Sequence, residues 1–141
     1  MLRLVIDTDV MVAAFQSAPG ASRQLVVDVL DGEAELLLST SLMLEYEAVL
    51  TRTENLARSG LSVADVIEAL DDLANRCVPV AFECRWRPVA RDAGDDLVIE
   101  TAINGSADVI ATFNTADMIE GAAKFGIAVE RPNFVLRRIR R

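Results

Sequence analysis

The apolar segment at residues 4–6 ends in two carboxylates, Asp7 and Asp9, and this junction constrains the fold more than any other feature of the sequence. A short run of Leu, Val and Ile is typical of a buried strand. In open α/β sheets, chemistry gathers outside the carboxyl ends of the strands. Hard divalent cations such as Mg²⁺ prefer carboxylate oxygens. Asp7 and Asp9 are therefore candidate metal ligands at the end of a first strand.

Several apolar segments have the length of short strands, and segments with helical periodicity lie between them. Helical patterns follow Ser22, Ser41 and Ser62, and Ser62 has the spacing of a capping box with Asp65. The alternation of strands and helices predicts a parallel sheet covered by helices. The predicted strands are residues 2–6, 35–38, 78–82, 108–112 and 127–129.

The lack of histidine restricts the chemistry open to this chain. The sequence has no histidine and two cysteines, Cys77 and Cys84, whose spacing fits no zinc motif. Histidine general bases and Ser–His or Cys–His nucleophile pairs are therefore excluded. Any catalysis must depend on carboxylates, a metal ion or bound water. We expect both cysteines to be free thiols.

The charge of the chain argues against a broad nucleic-acid-binding surface, because the net charge is −8 at pH 7. The local distribution is different, since four arginines lie within residues 137–141. Arginine binds phosphate groups in a bidentate manner. The sequence leaves two interpretations of this segment open, a phosphate-binding cluster and a solvated terminal helix.

Length and hydropathy predict one domain that covers residues 1–141. The apolar runs are far shorter than the roughly 20 residues that span a bilayer. The segment before Asp7 is too short for the apolar region of a signal peptide. We therefore expect a cytoplasmic protein with no membrane partner.

Further acidic residues fall near predicted strand ends or in the early turns of predicted helices. Glu45 borders the apolar stripe of its helix. A later helix is predicted to open at Asp95 or Asp96 and to carry Glu100 on the face of Asp96, after an irregular loop of residues 83–94. Residues 113–117 form another polar cluster past a strand. Each acid alone has a structural explanation, such as the helix dipole. Together they would repel one another, and this repulsion predicts a cation between them.

Four ordered motifs resemble those of PIN-domain proteins, the ribonuclease class of bacterial toxin–antitoxin toxins. They read IDTDV at residues 6–10, SLMLEYEAVL at 41–50, DAGDDLVIETA at 92–102 and ADVIATFNTAD at 107–117. The resemblance spans nearly the whole chain. It implies a three-layer α/β/α sandwich with a central parallel sheet of four to five strands, and metal-dependent hydrolysis of RNA phosphodiester bonds.

The resemblance also implies the residues of the active site. Carried over by position, the catalytic and metal-binding acids are Asp7, Glu45, Asp96 and Asp117, which would hold one or two Mg²⁺ or Mn²⁺ ions. Thr8 and Asn114 would support these acids, and Glu100 is a further candidate. Asp95 beside Asp96 leaves the third ligand ambiguous by one residue, and Asp96 is preferred because it directly precedes the apolar run.

One departure from the family pattern concerns Asp9, which stands where the family usually has Asn. The additional negative charge would either strengthen metal binding or misplace the ion. The resemblance further implies an RNA substrate, a small antitoxin protein as partner and a homodimer.

Two other functions fit parts of the sequence. In a phosphatase similar to haloacid dehalogenases, Asp7 would be the nucleophile and Asp9 the general acid. That class needs a lysine before its late acids, whereas the lone lysine here, Lys124, follows them, and Glu45 would have no role. The second alternative is a catalytically inactive PIN-like domain that binds a partner or RNA without cutting it.

Overall fold

The structure is a computed structural model that describes residues 1–17, 19–81 and 93–140, with residues 93–95 described by their backbone alone. Within these ranges the chain forms five strands and eight helices. The strands are β1 (Arg3–Ile6), β2 (Glu35–Leu38), β3 (Val78–Pro79), β4 (Val109–Ala111) and β5 (Ala128–Glu130). The helices are α1 (Thr8–Gln16), α2 (Ala21–Leu30), α3 (Thr40–Leu50), α4 (Thr53–Ser59), α5 (Val63–Arg76), α6 (Ala93–Gly105), α7 (Thr115–Ala123) and α8 (Pro132–Ile139). None of the described helices has both the length and the apolar character needed to cross a bilayer.

All five strands run parallel in one sheet, in the order β3-β2-β1-β4-β5. In the central pair, Ile6 of β1 lies opposite Ala111 of β4. Helices flank the sheet, so the predicted three-layer α/β/α sandwich is confirmed. The strand order reverses at β1, because β2 lies on one side of it and β4 on the other. A crevice outside the carboxyl ends of β1 and β4 is where such sheets bind ligands.

The core of the sheet consists of continuous apolar runs in β1 and β4. Leu4, Val5 and Ile6 are fully buried, as are Val109 and Ile110. Parallel strands with both faces covered by helices have this character, because neither face alternates with solvent. The first polar residue after β1 therefore emerges at the carboxyl edge of the sheet.

The capping box predicted for α5 is present. The Ser62 hydroxyl accepts a hydrogen bond from the Asp65 N–H at 3.1 Å, and the Asp65 carboxylate accepts one from the Ser62 N–H at 3.0 Å. Two helices start slightly earlier than their patterns indicated, because α2 begins one residue before Ser22 and α3 one residue before Ser41.

The start of α6 differs from the sequence prediction. The helix begins at Ala93, whereas the pattern predicted an opening at Asp95 or Asp96. The predicted loop of residues 83–94 is therefore wrong at its end, and its residues 83–92 lie outside the described part of the chain. The acidic pair thus lies within the first turn of α6 and does not precede it.

The end of α6 packs closely against the sheet. Gly105 is the last residue of the helix, and the left-handed residue that follows is Ser106, with φ of 54°. A Cβ atom at Gly105 would lie 2.9 Å from the side chains of both Leu37 and Val80. Gly105 is therefore required for close packing of the helix end on the sheet.

The edge strand β3 is shorter than predicted and has two residues, Val78 and Pro79. Its pairing with β2 continues for one further hydrogen bond, which the Val80 N–H donates to the Leu38 carbonyl at 3.0 Å. The predicted strand end at Phe82 lies outside the described residues, as does Cys84. Cys77 is a half-buried free thiol, as expected, and burial raises its pKa.

Candidate active site

Asp7 lies at the junction of β1 and β4, where it is the N-cap of α1. One carboxylate oxygen accepts the Thr8 N–H and the other accepts the Thr112 hydroxyl, each at 2.7 Å. The Thr112 hydroxyl in turn accepts the Asn114 N–H at 2.9 Å, which directs its hydrogen towards Asp7. The buried Asp7 carboxylate is therefore held in one orientation by two strand ends.

Thr112 is a site residue that the sequence pattern did not indicate, since the pattern predicted only the end of a strand at this position. Its hydrogen bond to Asp7 joins residues 105 positions apart in the chain. A pattern of neighbouring residues cannot indicate such a contact. A hydroxyl side chain directly after a buried strand was the available indication, because β4 ends at the same edge of the sheet as β1.

Asp9 lies beside Asp7 in the first turn of α1 and is half-buried. Its Oδ2 accepts the Phe113 N–H at 3.1 Å, while its buried Oδ1 has no hydrogen-bond partner within the described residues. Burial raises the pKa of Asp9, against the opposing effects of the Phe113 N–H, a contact with the Asp7 carboxyl and the charge of Arg131. A buried carboxylate oxygen without a donor is costly, and a cation would stabilise it.

Glu45 reaches the same region from the second turn of α3. The Thr8 hydroxyl donates to its Oε2 at 3.4 Å, and α3 packs against α1. The N-cap of α3 is Ser39, which follows β2 and accepts the Leu42 N–H at 3.2 Å. Glu45 therefore lies next to the residue that follows Asp7.

Tyr46 belongs to the buried core and also has a polar role in the site. Its hydroxyl is fully buried and donates to the carbonyl of Ile6, the last residue of β1. Burial raises the pKa of Tyr46 well above its ordinary value, and the charges of Asp7 and Glu45 add to this increase. The negative charges of Asp7 and Glu45 therefore both disfavour ionisation of the Tyr46 hydroxyl. A buried tyrosine needs a partner for its O–H, and this requirement was the clue in the sequence.

The orientation of α6 places its first turn at the carboxyl edge of the sheet. Near its end, the Gly105 carbonyl accepts a hydrogen bond from Arg3, the first residue of β1, at 2.7 Å. Earlier in the helix, the Thr101 hydroxyl lies 2.8 Å from the hydroxyl of Ser39, which follows β2. The helix therefore runs antiparallel to the strands and begins where β1, β2 and β4 end.

Two predicted acids lie on α6. Asp96 and Glu100 are both buried, and their spacing of four residues puts them on the same face of the helix. The side chain of Asp95 lies outside the described part of the structure. The choice between Asp95 and Asp96 as a ligand therefore stays a prediction.

The predicted residues on the segment after β4 are less enclosed. Asp117 lies in the first turn of α7 and is exposed. Asn114 is the N-cap of that helix, but its side chain makes no capping hydrogen bond. Asn114 contributes to the site through its backbone N–H, which binds the Thr112 hydroxyl.

The donor set consists of carboxylate oxygens, which suit a hard divalent cation. No three acidic, histidine or cysteine side chains within the described residues have the spacing to hold a metal ion together. Mg²⁺ usually keeps several waters and binds through one or two carboxylates. The neighbouring carboxylates of Asp7 and Asp9, with the buried Asp9 Oδ1, fit such a hydrated ion.

A family model described as PIN domain matches residues 3–116 of the chain. The match includes Asp7, Glu45 and Asp96 and ends one residue before Asp117. A search of curated proteins gives no significant match. PIN domains are generally nucleases that act on nucleic acid and typically use divalent metal ions. Since the match covers most of the sequence and the parallel sheet agrees with it, the chain belongs to the PIN-domain family.

Proposed function

We propose that this protein is a metal-dependent endoribonuclease and the toxin of a bacterial toxin–antitoxin pair. The observation that carries the ribonuclease proposal is the oriented Asp7 carboxylate at the end of β1, beside the buried Oδ1 of Asp9. Carboxylates gathered in one crevice repel a polyanionic substrate, and a divalent cation reverses that repulsion. The nuclease activity typical of PIN domains supports the same conclusion.

The proposed ligands of Mg²⁺ or Mn²⁺ are the four acids of the family pattern, Asp7, Glu45, Asp96 and Asp117. Because no three described acids have the spacing to hold an ion together, some of these four would bind it through waters of its hydration shell. When bound, such an ion supplies Lewis-acid assistance and charge neutralisation for phosphodiester hydrolysis. The position of the Asp7 carboxylate is supported by its bonds to the Thr8 N–H and the Thr112 hydroxyl.

Three further residues of the site, Thr8, Tyr46 and Thr112, are proposed to position the acidic residues and the strand end that carries them. The Thr8 hydroxyl orients Glu45, and the Tyr46 hydroxyl fixes the end of β1 directly before Asp7. The Thr112 hydroxyl accepts a hydrogen bond from the Asn114 N–H and donates one to the Asp7 carboxylate. These contacts restrain carboxylates that would otherwise move apart under mutual repulsion.

The proposed partners are RNA, a small antitoxin protein and a second copy of the chain, and the proposed place of action is the cytoplasm. Val63 and Ile67 on α5 carry exposed apolar side chains, 47% and 38% accessible respectively, which supports a protein contact on that helix. Light scattering on the purified protein measures the oligomeric state, and a monomer at all concentrations would contradict the homodimer.

The test of the proposed activity is cleavage of end-labelled single-stranded RNA in Mg²⁺, in Mn²⁺ and in EDTA. We expect cleavage with either ion and none in EDTA. A preparation of Asp7→Asn purified in the same way controls for contaminating nuclease. RNA binding without cleavage in any ion would contradict the proposal and support the inactive binding domain.

A second variant, purified in the same way, distinguishes the nuclease from the phosphatase alternative. Asp9→Asn removes the general acid of the phosphatase but restores the amide usual in the PIN family. Since the Asn side chain keeps one oxygen that can face the ion, we expect RNA cleavage by Asp9→Asn to stay within a few-fold of the wild type. Hydrolysis of a phosphomonoester by the wild type and its loss in Asp9→Asn would overturn the nuclease assignment.

A further inference from the structure

A groove of about 380 Å³ opens next to the acidic crevice. Ser17 of the α1–α2 connection, Ser22 of α2, Asn133 of α8 and Phe113 are among its walls. Phe113 belongs to both regions, because it lines the groove while its backbone N–H donates a hydrogen bond to the Asp9 carboxylate. The groove therefore lies next to Asp9, and its volume of about 380 Å³ is within the range of about 300–1,000 Å³ common for ligand clefts.

Arg131 lies in the wall of this groove and directly follows β5. The Thr112 N–H donates to the Glu130 carbonyl at 3.0 Å, which joins the ends of β4 and β5. The Arg131 guanidinium lies over the Phe113 ring, 5.1 Å from its centroid. Among the described residues that line the groove, Arg131 alone carries a charge.

Two other arginines near the C-terminus, Arg138 and Arg140, form salt bridges with carboxylates. Arg138 makes two hydrogen bonds to Glu130, at 2.7 and 2.9 Å, and Arg140 binds Asp28 at 3.0 Å. Arg131 forms no salt bridge with a carboxylate in the described part of the chain. With respect to the described residues, its guanidinium edge is therefore available for an anionic ligand, while the stacking contact on Phe113 limits its motion.

We infer that this groove binds a nucleotide of the RNA strand next to the scissile phosphate, with Arg131 as the residue that binds its phosphate group. The inference rests on the proposed ribonuclease function and adds a substrate-binding residue to it. Charge complementarity supports this occupant, because a stacked guanidinium binds phosphate oxygens in a bidentate manner. The position supports it too, since the strand ends that carry Asp7 and Arg131 meet at one edge of the sheet.

The test uses RNA binding and needs no cleavage. In an Asp7→Asn background with Mg²⁺, fluorescence anisotropy of a labelled single-stranded RNA gives the affinity over a series of NaCl concentrations. Arg131→Gln should weaken binding about tenfold and reduce the slope of log K against log [NaCl] by about 0.7, which is one phosphate contact on a single strand. Arg131→Lys should keep the salt slope of the wild type but bind the RNA more weakly, because lysine cannot bind phosphate in a bidentate manner while it stacks on Phe113.

Arg137→Gln is the matched control, because Arg137 stacks on Phe134 with a similar distance of 5.2 Å but does not line the groove. We expect Arg137→Gln to leave the salt slope unchanged. An equal loss in Arg131→Gln and Arg137→Gln would overturn the inference, since it would reflect general charge. Thermal melting of each variant verifies that it is folded.

A cleavage assay separates failure of this inference from failure of the proposed function. If Arg131→Gln cuts RNA with the KM of the wild type, the groove inference is wrong and the ribonuclease proposal survives. If the wild type does not cut RNA, yet Arg131→Gln alone loses affinity and salt slope, the ribonuclease proposal is wrong and the groove still binds the strand.

Discussion

The starts of α1 and α5 both use an aspartate carboxylate as a hydrogen-bond acceptor, but the two aspartates lie in opposite surroundings. At α5, the fully exposed Asp65 exchanges hydrogen bonds with Ser62, three residues away. At α1, the buried Asp7 is bound by Thr112, 105 residues away. Beside it, Asp9 keeps one buried oxygen without a partner among the described residues.

The difference separates a structural from a functional use of the same side chain. The Ser62 N–H and hydroxyl lower the pKa of Asp65, so that the charged form stabilises the helix. Burial raises the pKa of Asp9, so that its charge opposes folding in the metal-free protein. A fold that keeps such a charge beside Asp7 gains no stability from it, which is typical of sites shaped for a ligand.

The largest effect should follow from Asp7→Asn. We expect RNA cleavage to fall by roughly 10²–10³-fold or more, because an oriented carboxylate at the reacting centre is lost. The melting temperature should stay unchanged or rise, since one repelling charge is removed. Single-turnover cleavage and thermal melting measure the two quantities, and full cleavage by the variant would exclude Asp7 from the mechanism.

Tyr46→Phe tests how far the packed core supports the functional end of β1. Removal of the hydroxyl leaves the Ile6 carbonyl without this buried donor, so the free energy of unfolding should fall by about 1–3 kcal/mol. Urea unfolding gives that value. An unchanged unfolding free energy would mean that the Tyr46 hydroxyl does not support the strand end.

Ser62→Ala addresses the other side of the comparison. Loss of the capping hydroxyl should lower the free energy of unfolding by about 1 kcal/mol, and RNA cleavage should not change. Urea unfolding and the cleavage assay together verify this separation. A loss of cleavage in the folded variant would show that α5 and the acidic crevice are coupled.

Asp65→Asn has the smallest expected effect and concerns pH. The folded-state pKa of Asp65 lies below its unfolded value, so its contribution to stability is present at neutral pH and is lost as the pH falls through the folded pKa. The stability difference between wild type and Asp65→Asn should therefore be larger at about pH 6 than at about pH 3. Urea unfolding at both values gives the difference, and a constant gap would contradict the depressed pKa.

Features set by neighbouring residues could be predicted from the sequence. The run at residues 35–38 coincides with β2, since an apolar segment of that length has few alternatives to a buried strand. The capping box of Ser62 and Asp65 depends on a spacing of three and was also predictable. The parallel sheet followed from the regular alternation of strand and helix patterns.

Features that depend on contacts across the fold were not predictable. Hydrophobic periodicity assigns Tyr46 to the core but gives no partner for its hydroxyl. The bond between Thr112 and Asp7 requires knowledge that β4 lies next to β1. Arg131 stacks on Phe113 only because β4 and β5 are neighbours as well. The degree of exposure of Asp117 on α7 likewise depends on packing that no motif contains.

The most direct test of the central claim is a calorimetric titration of metal-free protein with Mn²⁺. The claim is that acids brought together at the carboxyl edge of the sheet share a divalent ion. The wild type should bind the ion, and Asp7→Asn should bind it more than about tenfold more weakly. Glu68→Gln, which removes the same charge from an exposed position on α5, should bind as the wild type does. Equal binding by wild type and Asp7→Asn would contradict the account.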